Sequence, residues 1–157
     1  METNALAGQN FCTTPGLLTA TGAETVYDTT VVINYVLGGV IRQKAAVTDG
    51  ATPTTDGVSG AAITLTASKA RMVVWCLDST GTVKVVAGTI VDWDGTAFQT
   101  PPPMPDIPDT LVPFATQMLK ASSAAGTLTF GTSNWNATGF TNSIQNVAVL
   151  PSRPRTS

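Results

Sequence analysis

The alternation of apolar and polar positions predicts strands through most of the chain and no helix of a dozen residues. Over residues 27–36, Val31, Ile33 and Tyr35 alternate with Val32, Asn34 and Val36, giving a strand with two largely apolar faces. Gly38-Gly39 breaks that run. Residues 40–47 alternate more cleanly, with Arg42 and Lys44 on one face and Ile41, Ala45 and Val47 on the other. Residues 49–60 read as a loop of Asp, Gly, Thr and Pro, and residues 61–67 as a short strand directing Ile63 and Leu65 the same way. Residues 72–77 are apolar on both faces, which demands a central place, in the core or in a subunit contact.

Asp78-Ser-Thr-Gly81 then predicts a hairpin connection with glycine in a left-handed conformation, and residues 83–91 its return strand. Asp92-Trp-Asp-Gly95 is a second tight turn. Residues 100–108, with Pro101, Pro102, Pro103, Pro105 and Pro108, exclude helix and inner strand, because proline lacks the donor and fixes φ. An extended crossing segment is expected there. Residues 112–121 predict a strand, with helix as the alternative for their second half. Residues 127–130 and 140–150 predict the last two strands, on either side of a loop at 134–139. Short strands punctuated by turns indicate a single all-β domain, a β-sandwich of jelly-roll-like type, over residues 23–157.

Residues 1–22 stand apart. They hold few large apolar groups, Phe11, Leu17 and Leu18 among them, in a background of Gly, Thr, Ala and Asn, and read as an extended N-terminal arm that orders on a partner. A first edge strand of the domain is the competing reading. The arm reading expects a chain lacking residues 1–22 to fold normally.

Composition sharpens the picture. Charged residues are 11% of the 157, against about 25% in an average soluble domain. Threonine, at 27 copies, takes their place and suits a pleated surface. So charge-poor a surface fits either an exposed neutral domain or one covered in an assembly. The net charge of −2 and the scattered Lys and Arg residues argue against nucleic acid, which needs a basic patch. The amino-terminal residues lack the charge and apolar stretch of a secretory signal, and no apolar run nears the roughly 20 residues that span a bilayer. A soluble protein made in the cytoplasm, with no membrane partner, is expected. Cys12 and Cys76 form no disulfide framework, and Cys76 reads as a small buried residue.

The chain has no histidine, which removes the commonest general base and metal ligand. Most aspartates stand in turn-like stretches where Asp bonds its local backbone. A carboxylate hydrolase built on Asp92 and Asp94 is the best enzymatic alternative, but adjacent outward turn positions flank a substrate poorly. The same residues resemble the opening of a calcium loop without its later ligands. Asn136-Ala-Thr138 matches a glycosylation pattern that arises easily by chance. Trp93 and Trp135 are the aromatic candidates for stacking on a glycan, with packing as the plainer role for both. No catalytic, cofactor-binding or metal-binding residue is assigned.

Four tracts carry a resemblance: Lys-Ala-Ala-Val-Thr-Asp-Gly-Ala-Thr-Pro-Thr-Thr-Asp-Gly-Val-Ser-Gly at 44–60, Val-Val-Trp-Cys-Leu-Asp-Ser-Thr-Gly-Thr-Val-Lys-Val at 73–85, Pro-Asp-Thr-Leu-Val-Pro-Phe at 108–114, and Thr-Phe-Gly-Thr-Ser-Asn-Trp-Asn-Ala-Thr-Gly at 129–139. The last runs on to Leu-Pro-Ser-Arg-Pro at 150–154. Together they span roughly residues 25–155 and resemble small virion proteins of tailed bacteriophages, of the capsid cement (decoration) type. The resemblance implies a β-sandwich that associates as dimers or trimers and clamps the major capsid protein lattice from outside the head. A tail or head-fibre component that binds a receptor or glycan is the alternative. On this reading Phe11, Leu17, Leu18, Pro101, Pro102, Pro103 and Met104 are the capsid-contact candidates. Val73, Trp75 and Leu77 are the self-association candidates.

Overall fold

Every regular element in residues 10–147, the part of the chain that the computed structural model describes, is a strand. The first six strands are β1 (Phe11–Cys12), β2 (Leu18–Thr19), β3 (Val26–Thr29), β4 (Ile33–Leu37), β5 (Val40–Lys44) and β6 (Val47–Ala51). They form two three-stranded ladders, β1-β4-β5 and β2-β3-β6. The registers show why these belong together. Phe11 faces Val36 and Leu18 faces Thr29, while Val40 faces Leu37 and Ala51 faces Val26. Strands β3 and β4 thus continue one another, as do β5 and β6, and β1 and β2. The result is a small meander kinked where Pro15, Leu17 and residues 30–32 and 45–46 leave the ladder. Gly38 and Gly39, both at positive φ, make the two-residue turn whose twist suits a hairpin.

The large sheet holds β8 (Lys69–Leu77), β9 (Val83–Ala87), β10 (Val91–Asp92), β11 (Val112–Ala121) and β13 (Phe140–Asn146). Strand β8 is central, with β11 on one side and β9 then β10 along the other; β13 lies outside β11, and all pairs are antiparallel. Strands β7 (Thr64–Leu65) and β12 (Leu128–Thr129) pair separately. The two sheets face each other as a β-sandwich. Between them Trp75 meets Tyr27 at 5.2 Å and Phe130 and Trp135 at 6.3 Å between ring centroids. Its indole N–H donates to Gln117 Oε1 at 3.0 Å in the buried interior.

Several expectations change. Residues 112–121 are strand throughout. Residues 27–36 divide between β3 and β4, and residues 49–51 belong to β6 rather than to a loop. The return strand predicted over 83–91 breaks after Ala87, because the proline segment of the same chain crosses there. A Cβ on Gly88 would sit 2.8 Å from the Met72 carbonyl and 2.9 Å from that of Pro103. Residues 100–108 do run extended, without regular structure, and the crossing continues until Ile107 and Leu111 cover Val74, Cys76 and Val86 on the outside of the large sheet.

That crossing settles the place of β8. Val73, Trp75 and Leu77 are 0% exposed and lie in the core between the sheets, so the chain itself fills the face assigned above to a second subunit. The reading that β8 has no solvent face was right; the cover is intramolecular on both sides. The described part of the arm is corrected likewise. Cys12, Leu18 and Ala20 are buried in the same core, and the Leu18 N–H donates to Asn146 Oδ1 at 2.7 Å. Residues 10–22 are therefore edge strand, and removing them takes away core. Residues 1–9 lie outside the described residues.

Candidate interaction surface

The small sheet buries its inner face and covers its outer face in part, since Val36 in the middle of the outer row is 3% exposed. Ile33, Tyr35 and Leu37 of β4 point to the core with Cys12 of β1. The intervening residues make the outer face, where Phe11, Val36 and Ile41 form one cross-strand row. Thr13, Asn34 and Gln43 form the next, tied by the Thr13 hydroxyl donating to the Asn34 carbonyl at 3.0 Å and the Gln43 amide donating to Asn34 Oδ1 at 3.0 Å. Ile41 is 77% exposed and its neighbour Val40 51%. Val32 and Leu17, at the kink, are also exposed.

Leu17 is unusual. Its φ of 45° lies in the left-handed region that a leucine enters at a cost of roughly 1–2 kcal/mol. Gly16 and Leu18 hold it there. A Cβ on Gly16 would lie 2.6 Å from Ile33 Cδ1, so the backbone presses onto the core at that point, and Leu18 is pinned by Asn146. The Leu17 side chain is thereby turned outward at 43% exposure.

Of the other capsid-contact candidates, Phe11 is half-buried in the outer row, Leu18 is core, and Pro102 is buried. Pro101, Pro103 and Met104 are exposed on the crossing segment. Val32, Val40 and Ile41 were not anticipated. Alternation placed Ile41 and Val47 on one face, but the break at Ala45-Ala46 switches sides, so that Val47 packs on the core while Ile41 faces out.

The acidic residues are occupied locally. Asp94 Oδ1 accepts the Thr96 and Ala97 N–H groups at 2.7 Å, and these bonds hold its carboxyl below the usual range. Asp92 pairs with Lys69. Burial raises Asp56, but the Ser59 hydroxyl and N–H, with the Ala87 and Val58 N–H groups, outweigh it and leave the pKa lowered. In Asp78 burial is outweighed by the Thr80 hydroxyl and the Thr80 and Thr82 N–H groups, with Lys84 adding to the lowering. An open polar hollow of about 680 Å³ lies between residues 51–60 and Val83 and Lys84, with Asp56 already engaged in its wall. Both cysteines are free and buried; burial pushes the Cys12 thiol to about 11 and Cys76 higher still, so neither is a ready nucleophile.

The tryptophans divide. Trp135 is core, its N–H donating to the Val26 carbonyl at 2.6 Å, so it offers no stacking face. Trp93 is half-buried against Phe98 at 4.6 Å, with Lys120 Nζ 4.8 Å from its ring centroid. No helix among the described residues is long and apolar enough to cross a membrane, and no group of three or more potential metal-ligating side chains gathers among them. Comparison with protein-family models, curated proteins and solved structures finds no match to this chain.

Proposed function

We propose that this chain is a virion structural protein of the capsid cement type, which docks on the outside of a major capsid protein lattice and stabilises the head. The observation that carries the reading is the outer face of the small sheet. Ile41 and Val40 by the Gly38-Gly39 turn, and Leu17 and Val32 at the kink beyond the other end of the β4–β5 pair, stay exposed on a domain whose core is already filled. The resemblance of the four tracts supplies the partner, and the scarcity of charge fits a surface that is covered in use. Each contact is small, but a lattice offers many copies of the same site, so modest affinities add through multivalency. Self-association as a dimer or trimer belongs to the same reading.

Cosedimentation with expanded, emptied capsids tests it. The wild-type chain should decorate them. Ile41→Ser combined with Val32→Ser should lose most decoration while melting at nearly the wild-type temperature. Undiminished decoration by that variant rejects the face. Trp93 and Phe98, half-buried at the surface, favour the tail or fibre reading; glycan binding lost in Trp93→Ala would establish it instead.

A further inference from the structure

We infer that β13 is a self-association seam: two copies pair their β13 strands antiparallel about a two-fold axis through Ser143, continuing the large sheet across a dimer. The edge carries this on its own, independently of the lattice reading.

The large sheet treats its two edges differently. At β9 the edge is closed, since the Gly57 N–H donates to the Val85 carbonyl at 2.8 Å and the Ala87 N–H to Asp56 Oδ1 at 3.1 Å. Strand β13 pairs with β11 in unbroken register from Phe140 to Asn146; its Asn146 side chain accepts the Leu18 N–H and its Asn142 side chain donates to the Ala20 carbonyl, but among the described residues no strand pairs with the main chain on its far side. None of its residues is fully buried. Open edges are ordinarily guarded by charge, proline or a bulge. The small sheet's edge has such guards: Arg42 and Lys44 on β5, then the break at 45–46 and Asp49 at a φ of 53° on β6. Strand β13, Phe-Thr-Asn-Ser-Ile-Gln-Asn, has none.

The occupant that fits is a second copy. The Val147 N–H donates to the Phe114 carbonyl, so strand alternation turns the main-chain groups of Asn142 and Ile144 away from β11. With the axis through Ser143, Asn142 of one copy stands opposite Ile144 of the other and the two exchange both main-chain bonds. On the outer row, Thr141 faces Gln145 and Ser143 faces its own mate, hydroxyl and amide groups that both donate and accept. No like charges meet. A foreign strand would be selected by charge or by apolar pockets, and this row displays neither. The two-fold consumes the open edge in both copies, so pairing closes at the dimer instead of growing a fibre. Two short strands bury less than the roughly 1,200 Å² of a standard interface, so the dimer should be concentration-dependent.

Sedimentation equilibrium of the full chain across a wide dilution series tests this. A reversible monomer–dimer equilibrium is expected. Ser143→Lys, at an exposed position, should weaken it by roughly fivefold, the upper end for like charges directly opposed across strands. Mixing Ser143→Lys with Ser143→Glu should give a heterodimer tighter than either homodimer. A wild-type chain that stays monomeric, a trimer, or a dimer indifferent to both substitutions would overturn the seam. Decoration of capsids, scored on the same proteins, is a separate readout of the lattice reading.

Discussion

The two sheets of the sandwich divide the work. The large sheet is covered on both faces along β8 and β9, inward by the aromatic cluster around Trp75 and outward by Ile107 and Leu111, and leaves an outward row open at β13. The small sheet is covered inward and only in part outward, where Val36 is buried but Ile41 is the most exposed large apolar side chain among the described residues. A strand buried on both sides contributes stability and offers nothing to a partner; a strand buried on one side gives up burial and keeps a surface. Substitutions along β8 should therefore register in folding, and those at the exposed positions of the small sheet in binding.

The strongest test of that division is Trp75→Ala. It removes the ring against which Tyr27, Phe130 and Trp135 pack and leaves the Gln117 carboxamide without its partner. A loss of about 3–5 kcal/mol is expected from urea unfolding. A loss below about 1 kcal/mol, the usual size for a surface change, would mean that the centre of the core is elsewhere. Gly88→Ala probes the outer cover. Its methyl group meets two main-chain carbonyls that cannot rotate away, so about 1–3 kcal/mol should be lost as the crossing segment lifts. Protease sensitivity should then rise near residues 100–108.

How much of this the sequence carried depends on which sheet is asked. Strand β11 was legible to the residue, and β8 was legible as central, because an unbroken apolar run admits few other places. What covered β8 was not legible. Apolarity on both faces says that cover exists and is silent on whether it comes from the same chain or another, and here the proline segment supplied it. The arm failed for a related reason. Gly, Thr and Pro between Cys12 and Leu18 look like weak structure, yet the strand resumes in register after the break and both residues reach the core. Ile41 was hidden by the slip at Ala45-Ala46, a change of side that alternation cannot signal in advance.

Acid should separate the regions further, with a smaller effect. Asp56 and Asp78 secure β9 at its edge and at its turn, and both have folded pKa values below the ordinary aspartate range of about 3.9. A carboxyl depressed by folding adds stability above its unfolded pKa, and that contribution is lost as pH falls through the folded value. Stability from these two groups should hold from neutral pH to about pH 4 and decline below it. Hydrogen exchange should show β9 loosening in that window. Asp56→Asn should flatten the decline, and an unchanged acid profile in that variant would take Asp56 out of the account.

The smallest effect on folding is the most telling for function. Leu17 sits at a φ of 45° with its side chain 43% exposed, so the fold bears a strain for a residue that is only partly buried. Leu17→Gly relieves a cost of roughly 1–2 kcal/mol. It gives back about 0.4–1 kcal/mol through the greater freedom of glycine in the unfolded chain. Stability should thus stay level or rise by up to about 1.6 kcal/mol, the difference between those two figures. If the outer face is the docking surface, the same variant should bind capsids less well, moving stability and attachment in opposite directions. A variant more stable and equally adhesive would leave the strained leucine without a role in attachment. Strain retained at an outward apolar side chain is then a trade of stability for contact, as at other functional positions.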